Sequence, residues 1–143
     1  MFKKMIKTMA MLVPLFLVAC GGSSSDGGST SAGYAGTYSG TTVGVNGGPT
    51  TITVANDNTI KGTFTITNRV DESGAPVVYV STLDGQVDAN GKASINSYLY
   101  GAFVMFFSGQ IDSAGVIKGT YYETTHPNDP SKAGTFSLQR SGN

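Results

Sequence analysis

Apolar and polar residues alternate along most of this chain from Tyr34 onward. Ile60, Phe64 and Ile66 share one face of a strand, while Lys61, Thr63, Thr65 and Thr67 share the other. Ile95 and Leu99 oppose Ser94 and Asn96, and Phe136 and Leu138 oppose Thr135, Ser137 and Gln139. A period of two sets one face against a core and the other in water. Thr, Val, Ile, Tyr and Phe recur, and these fit a pleated surface. Clusters of Gly, Asn and Asp break the pattern at roughly regular spacing. The expected strands are 36–43, 50–55, 59–68, 77–87, 92–100, 103–111, 116–123 and 134–140. No stretch of this region carries a helical period. Short strands at such spacing, joined by short connections, predict an all-β fold: an antiparallel up-and-down β-barrel or a β-sandwich of about eight strands.

Turn chemistry supports the hairpins. Asp88-Ala89-Asn90-Gly91 and Asp112-Ser113-Ala114-Gly115 each begin with Asp and end with Gly. The Asp carboxylate bonds the turn backbone, and Gly accepts the positive φ needed to rejoin the next strand. Asn56-Asp57-Asn58-Thr59 is a looser version. A weak internal repetition runs alongside. Ile60-Lys61-Gly62-Thr63-Phe64 nearly recurs as Ile117-Lys118-Gly119-Thr120-Tyr121, and Ala35-Gly36-Thr37-Tyr38-Ser39 nearly recurs as Ala133-Gly134-Thr135-Phe136-Ser137. Glycine inside a strand leaves room for a bend or a neighbouring ring. Four Gly-Thr-aromatic units therefore point to a strongly curved sheet and favour closure.

A meander that begins Gly36-Thr37-Tyr38 and is punctuated by Gly-Thr-aromatic units resembles the lipocalin and avidin type of small barrel. The resemblance is one of pattern over the whole domain. It departs from both families at tryptophan, of which this chain has none. Biotin sites of the avidin type rest on tryptophans, and Tyr38 stands where lipocalins usually carry the Trp of a Gly-x-Trp. The resemblance thus implies a barrel and leaves the ligands of those families unsupported.

The N-terminus reads differently. Lys3, Lys4 and Lys7 precede an apolar stretch at 9–18, too short to span a bilayer and of the length of a secretory signal. It ends Leu17-Val18-Ala19-Cys20, which resembles the lipobox of bacterial lipoproteins. That resemblance implies a signal peptide over 1–19, cleavage before Cys20, and lipidation of Cys20, the sole cysteine. A single acyl chain binds membranes only marginally, whereas two or three hold a protein there. Gly21, where enterobacterial sorting would use aspartate to retain a lipoprotein at the inner membrane, implies the outer membrane. Ten of the thirteen residues 21–33 are Gly or Ser. Such a segment has too little apolar surface to offset its ordering entropy and reads as a flexible tether. Residues 20–33 form the anchor and tether, and 34–143 the β domain. Lipobox, Gly/Ser tether and β domain together resemble surface-exposed lipoproteins of Gram-negative bacteria.

Composition narrows the chemistry. After cleavage six basic residues face nine acidic ones, a net charge of −3. No basic stripe is present, which argues against nucleic acid as a partner. His126 is the sole histidine and lies in a loop with Pro127 and Pro130. With Asp129 it makes two ligands, and a specific metal site needs three or four. No Gly-x-Ser-x-Gly elbow suggests a serine hydrolase. The carboxylates sit mostly in expected turns, and Asp88-Ala89-Asn90-Gly91 lacks the downstream Glu of a calcium loop. No catalytic residue, metal site or cofactor is assigned. Phe103-Val104-Met105-Phe106-Phe107 is the strongest apolar run. Alternation expects Phe103, Met105 and Phe107 on one face and Val104 and Phe106 on the other. One face is core. The other is covered within the monomer or forms a binding surface, with Val104, Phe106, Tyr98 and Tyr100 as candidates and Tyr121 and Tyr122 beside them. The expected role is a non-enzymatic binding or structural module of the cell envelope. A carrier of a small hydrophobic ligand in the barrel, and a hydrolase with an unrecognised site, remain as alternatives. The expected partners are a membrane through the anchor, and an envelope protein or a small hydrophobic ligand.

The anchor is tested by Cys20→Ser. The substitution should abolish palmitate incorporation and move the protein from the membrane to the soluble fraction. Labelling that persists would overturn the lipobox reading.

Overall fold

The structure, a computed structural model, describes residues 33–142. Cys20, the signal segment and residues 21–32 of the tether lie outside the described residues. Eight strands follow in chain order: β1 (Gly36–Gly44), β2 (Gly48–Val54), β3 (Thr59–Val70), β4 (Pro76–Val87), β5 (Lys92–Leu99), β6 (Ala102–Ile111), β7 (Val116–Glu123) and β8 (Ala133–Arg140). Every neighbour pairs antiparallel, and β1 pairs with β8 to close the barrel. Closure decides between the two architectures expected from the sequence and leaves no sheet edge exposed. Among the described residues no helix is long and apolar enough to cross a membrane.

The four Gly-Thr-aromatic units show why the sheet closes so tightly. Tyr38, Phe64, Tyr121 and Phe136 all point inward and are fully or almost fully buried. The glycine two residues before each ring faces the same interior. Across the β7–β8 ladder the units interlock, with Gly119 opposite Phe136 and Tyr121 opposite Gly134. A Cβ on Gly119 would stand 2.7 Å from Phe136 Cε1 and collide with the Ser108 carbonyl. Each ring fills the space that the opposing glycine leaves. Phe107 completes the cluster, stacked on Tyr121 with centroids 5.2 Å apart and edge-on to Phe136 and Phe64 at 5.5 and 5.7 Å. Such pairs contribute about 0.5–1.5 kcal/mol each beyond area burial.

The two ends of the barrel are built differently. At the end where the chain enters β1, Tyr34 packs against the core and the Tyr38 hydroxyl donates to the Tyr34 carbonyl at 2.6 Å. Arg140 ties the same segment through the carbonyls of Gly33 and Ala35. This end is closed and carries the turns after β2, β4 and β6. The two Asp-to-Gly turns form as expected. Asp88 accepts from the N–H groups of Asn90 and Lys92, and Asp112 from those of Ala114 and Val116. The same backbone turn occurs after β2, with Asn58 at φ 65°, and after β3, with Gly74 at φ 84°. The turn after β3, Asp71-Glu72-Ser73-Gly74, is a fourth copy that the sequence reading did not single out. A bond from the Ser73 hydroxyl, joined by backbone N–H groups, holds the Asp71 carboxyl below its ordinary range.

The interlocking of ring and glycine is tested by Gly119→Ala. Overpacking of this kind costs about 1–3 kcal/mol, read as a lower urea midpoint. Gly142→Ala, with open space around its Cβ, should leave the midpoint where it is. Equal midpoints for the two variants would show that the β7–β8 interior is not tightly packed.

Candidate binding site at the open end of the barrel

The opposite end, bounded by the connections after β1, β3, β5 and β7, is where the barrel's polar chemistry collects. Below it the interior is solid hydrocarbon. Towards it the inward positions turn polar: Thr42 bonds Thr50 at 2.7 Å, and Ser97 donates to Ser81, which donates to the Phe64 carbonyl. Every buried side-chain polar atom among the described residues has a partner, as a desolvated group requires.

Asn46, in the turn after β1, folds down into this end and is only 3% exposed. Its backbone N–H donates to the Tyr121 hydroxyl at 3.0 Å, and its carbonyl accepts from the same hydroxyl at 2.9 Å. The Asn46 side chain donates to Glu123 Oε1 at 2.8 Å and accepts from Arg69 Nε at 2.8 Å. Arg69 Nη2 donates to Glu123 Oε1 at 3.0 Å. Asn68 secures the turn from outside by accepting from the Gly47 N–H and donating to the Gly44 carbonyl. Burial pushes the Tyr121 hydroxyl above its ordinary value, opposed by its bond to Asn46.

Two β-bulges build the walls. The β3–β4 register slips between Ile66 and Arg69, and the β5–β6 register slips beside Val104. A bulge inserts one residue and reverses the faces beyond it. In β3 the slip turns Arg69 toward the mouth, where strict alternation would have placed Asn68. In β6 it turns Phe103 outward. The expectation that Phe103 shares a face with Met105 and Phe107 is therefore corrected: Met105 and Phe107 are core, whereas Phe103 is 45% exposed. Phe103 meets Tyr98 on the outer wall, ring centroids 5.7 Å apart. Val104 packs against the core instead. The resulting recess, about 250 Å3, is lined by Ile66, Leu99, Phe103, Val104 and Met105 around Arg69, Glu123, Asn46 and Thr125. A second recess that shares Asn46, Ile66, Arg69 and Leu99 extends it toward Tyr79 and Val70.

The four candidate surface residues fall in three places. Val104 lines the mouth. Phe106 lies on the outer wall against Tyr122, at 5.6 Å, and Tyr98 lies on the wall beside Phe103. Tyr100 is in the turn after β5, 89% exposed at φ 51°. Tyr121 does not frame an outer patch, because it belongs to the core. Sequence reasoning missed Arg69, Glu123 and Asn46. The only signal was a charge at each of two strand ends, which is also the mark of an ordinary solvated rim.

His126 lies beside the mouth. Its Nδ1 bonds the Thr125 hydroxyl at 2.9 Å and stands 3.9 Å from Glu123 Oε2. Asp129 turns away to bond Ser131, and no serine bonds His126 among the described residues. Among these residues, too, no three His, Cys, Asp or Glu side chains converge as a metal site would need. The exposed large aliphatic and aromatic residues (Val43, Val70, Val78, Val80, Tyr100 and Phe103) all belong to this end.

Tyr121→Phe tests the plug. It leaves the N–H and carbonyl of Asn46 without their partner and should cost about 1–3 kcal/mol, read by thermal or urea unfolding. Because the folded state raises the Tyr121 pKa above its unfolded value of 10.0, the neutral form is favoured by folding. That contribution is complete below about pH 10 and is lost as pH rises through the folded value. The variant should therefore lose less stability than the wild type on alkalinisation above that point. An identical alkaline loss would remove Tyr121 as its source.

No protein-family model, curated protein or solved structure matches this chain, so the reading of the site rests on its own geometry.

Proposed function

We propose that this protein is a lipid-anchored component of the cell envelope, best described by what it holds rather than by a reaction: a binding module that works through the open end of a rigid barrel. The supporting observation is the solid interior. Tyr38, Phe64, Phe107, Tyr121 and Phe136 fill the space that a lipocalin-like carrier keeps for its ligand. A guest enclosed in the barrel would have to displace this packing, which speaks against the carrier reading in its enclosed form. The open end offers instead a recess of mixed chemistry ringed by exposed apolar side chains. Binding sites commonly combine an apolar lining with a few placed polar groups.

The lipobox-like Leu17-Val18-Ala19-Cys20 and the Gly/Ser stretch behind it support the anchor, and Gly21 supports the outer membrane. The chain enters β1 at the closed end. A tether attached there leaves the open end free to face a partner.

Photo-crosslinking in the native envelope tests this reading. A photoreactive residue at Tyr100, at the open end, should yield adducts that intact-mass analysis resolves as protein or small molecule. The same residue at Asn90, in a closed-end turn, should yield few. Equal labelling at both ends would overturn the assignment of binding to the open end.

A further inference from the structure

Arg69 and Glu123 form an ion pair in a recess they share with Asn46, Thr125 and five apolar side chains. Each has one edge engaged and one edge free. Arg69 uses Nε on Asn46 and Nη2 on Glu123, and its Nη1 has no acceptor among the described residues. Glu123 accepts from Asn46 and Arg69 through Oε1 alone. Its Oε2 receives no hydrogen bond among the described residues, and the His126 Nδ1 is 3.9 Å away. The free edges are a planar guanidinium N–H donor and a carboxylate oxygen, carried by two residues that line one recess. A guest that satisfies both offers an acceptor and a donor close together, and a carboxylate beside an ammonium does so with the strongest, charge-assisted bonds. The remaining walls, Ile66, Leu99, Phe103, Val104 and Met105, ask for an apolar group beside them. The recess itself holds about 250 Å3 and continues into the neighbouring one toward Tyr79 and Val70.

We infer that the mouth recess binds a free α-amino acid with an apolar side chain, its carboxylate on Arg69 Nη1 and its ammonium on Glu123 Oε2. Two charge-assisted hydrogen bonds then flank a guest whose side chain is withdrawn from water against Leu99, Val104 and Met105. The two bulges give the site its form, since one aims Arg69 and the other exposes the Val104 wall. The inference rests on the reading of the open end as the binding surface and names a ligand class for it.

The experiment is a calorimetric titration of the full-length protein, purified in mild detergent, with leucine. Two analogues, isoamylamine and 4-methylpentanoate, each lack one of the two charged groups. Leucine should bind, and each analogue should bind at least about tenfold more weakly, since a hydrogen bond to a charged group contributes about 1.5–3 kcal/mol. Aspartate, with no apolar side chain, should bind more weakly as well. Val104→Trp, which fills the recess from its apolar wall, should abolish leucine binding while leaving the strand signal in far-UV circular dichroism in place. Glu123→Gln should weaken leucine at least about tenfold. It should weaken 4-methylpentanoate much less. No leucine binding up to about 10 mM, roughly ten-thousandfold weaker than a micromolar site, or equal binding of leucine and both analogues, would overturn the inference. Either failure, with open-end crosslinks still present, would discard the amino-acid site and leave the open-end binding surface standing.

Discussion

Filling a narrow eight-strand barrel is the constraint on which the rest of this structure depends. The interior of an eight-strand barrel is just wide enough to be filled by side chains or to hold one small ligand, and here five buried rings fill it, which leaves no room for a side chain at every inward position. The chain resolves this by opposing rings and glycines, as Phe136 opposes Gly119 and Tyr121 opposes Gly134. Phe107 then joins Phe64, Tyr121 and Phe136 into one cluster. The same glycines let the backbones approach closely, so core packing and sheet curvature have a common cause.

Tyr121 links this core to the mouth. Its ring is part of the aromatic cluster, while its hydroxyl both donates to and accepts from the backbone of Asn46. From Asn46 the bonding passes to Arg69 and Glu123. Polar groups held in this way contribute little net energy when paired and cost much more when one partner is removed. The turn after β1 is therefore a seated plug rather than a loose loop. Its position depends on the packing beneath it. With the interior occupied, the places left for a guest are the surface of the barrel and its rim.

Much of the fold was legible in the chain. The alternation at Ile60–Ile66 and Phe136–Leu138, the Asp-to-Gly turns and the Gly-Thr-aromatic units each state a local requirement, and each appears where it was expected. The candidate site was much less legible. Val104 and Phe106 were read as one face, but a slip in the β5–β6 ladder sends Val104 to the mouth and leaves Phe106 on the wall with Tyr122. Arg69 drew no notice because alternation assigns it to the outside. A bulge is a property of two paired strands, and its signal is not contained in either strand alone.

The sequence by itself determined strand number, turn type and the inward face of most strands, because these follow from local propensity and a period of two. It also carries the lipobox-like segment before Cys20, which is a linear signal. Only the tertiary structure decided closure into a barrel rather than a sandwich, the filling of its interior, and the meeting of Asn46, Arg69 and Glu123. Those three residues come from a turn and two strand ends far apart in the chain. They converge because register shifts and closure of the sheet, both long-range hydrogen-bonding events, bring the ends of β3 and β7 to the same rim.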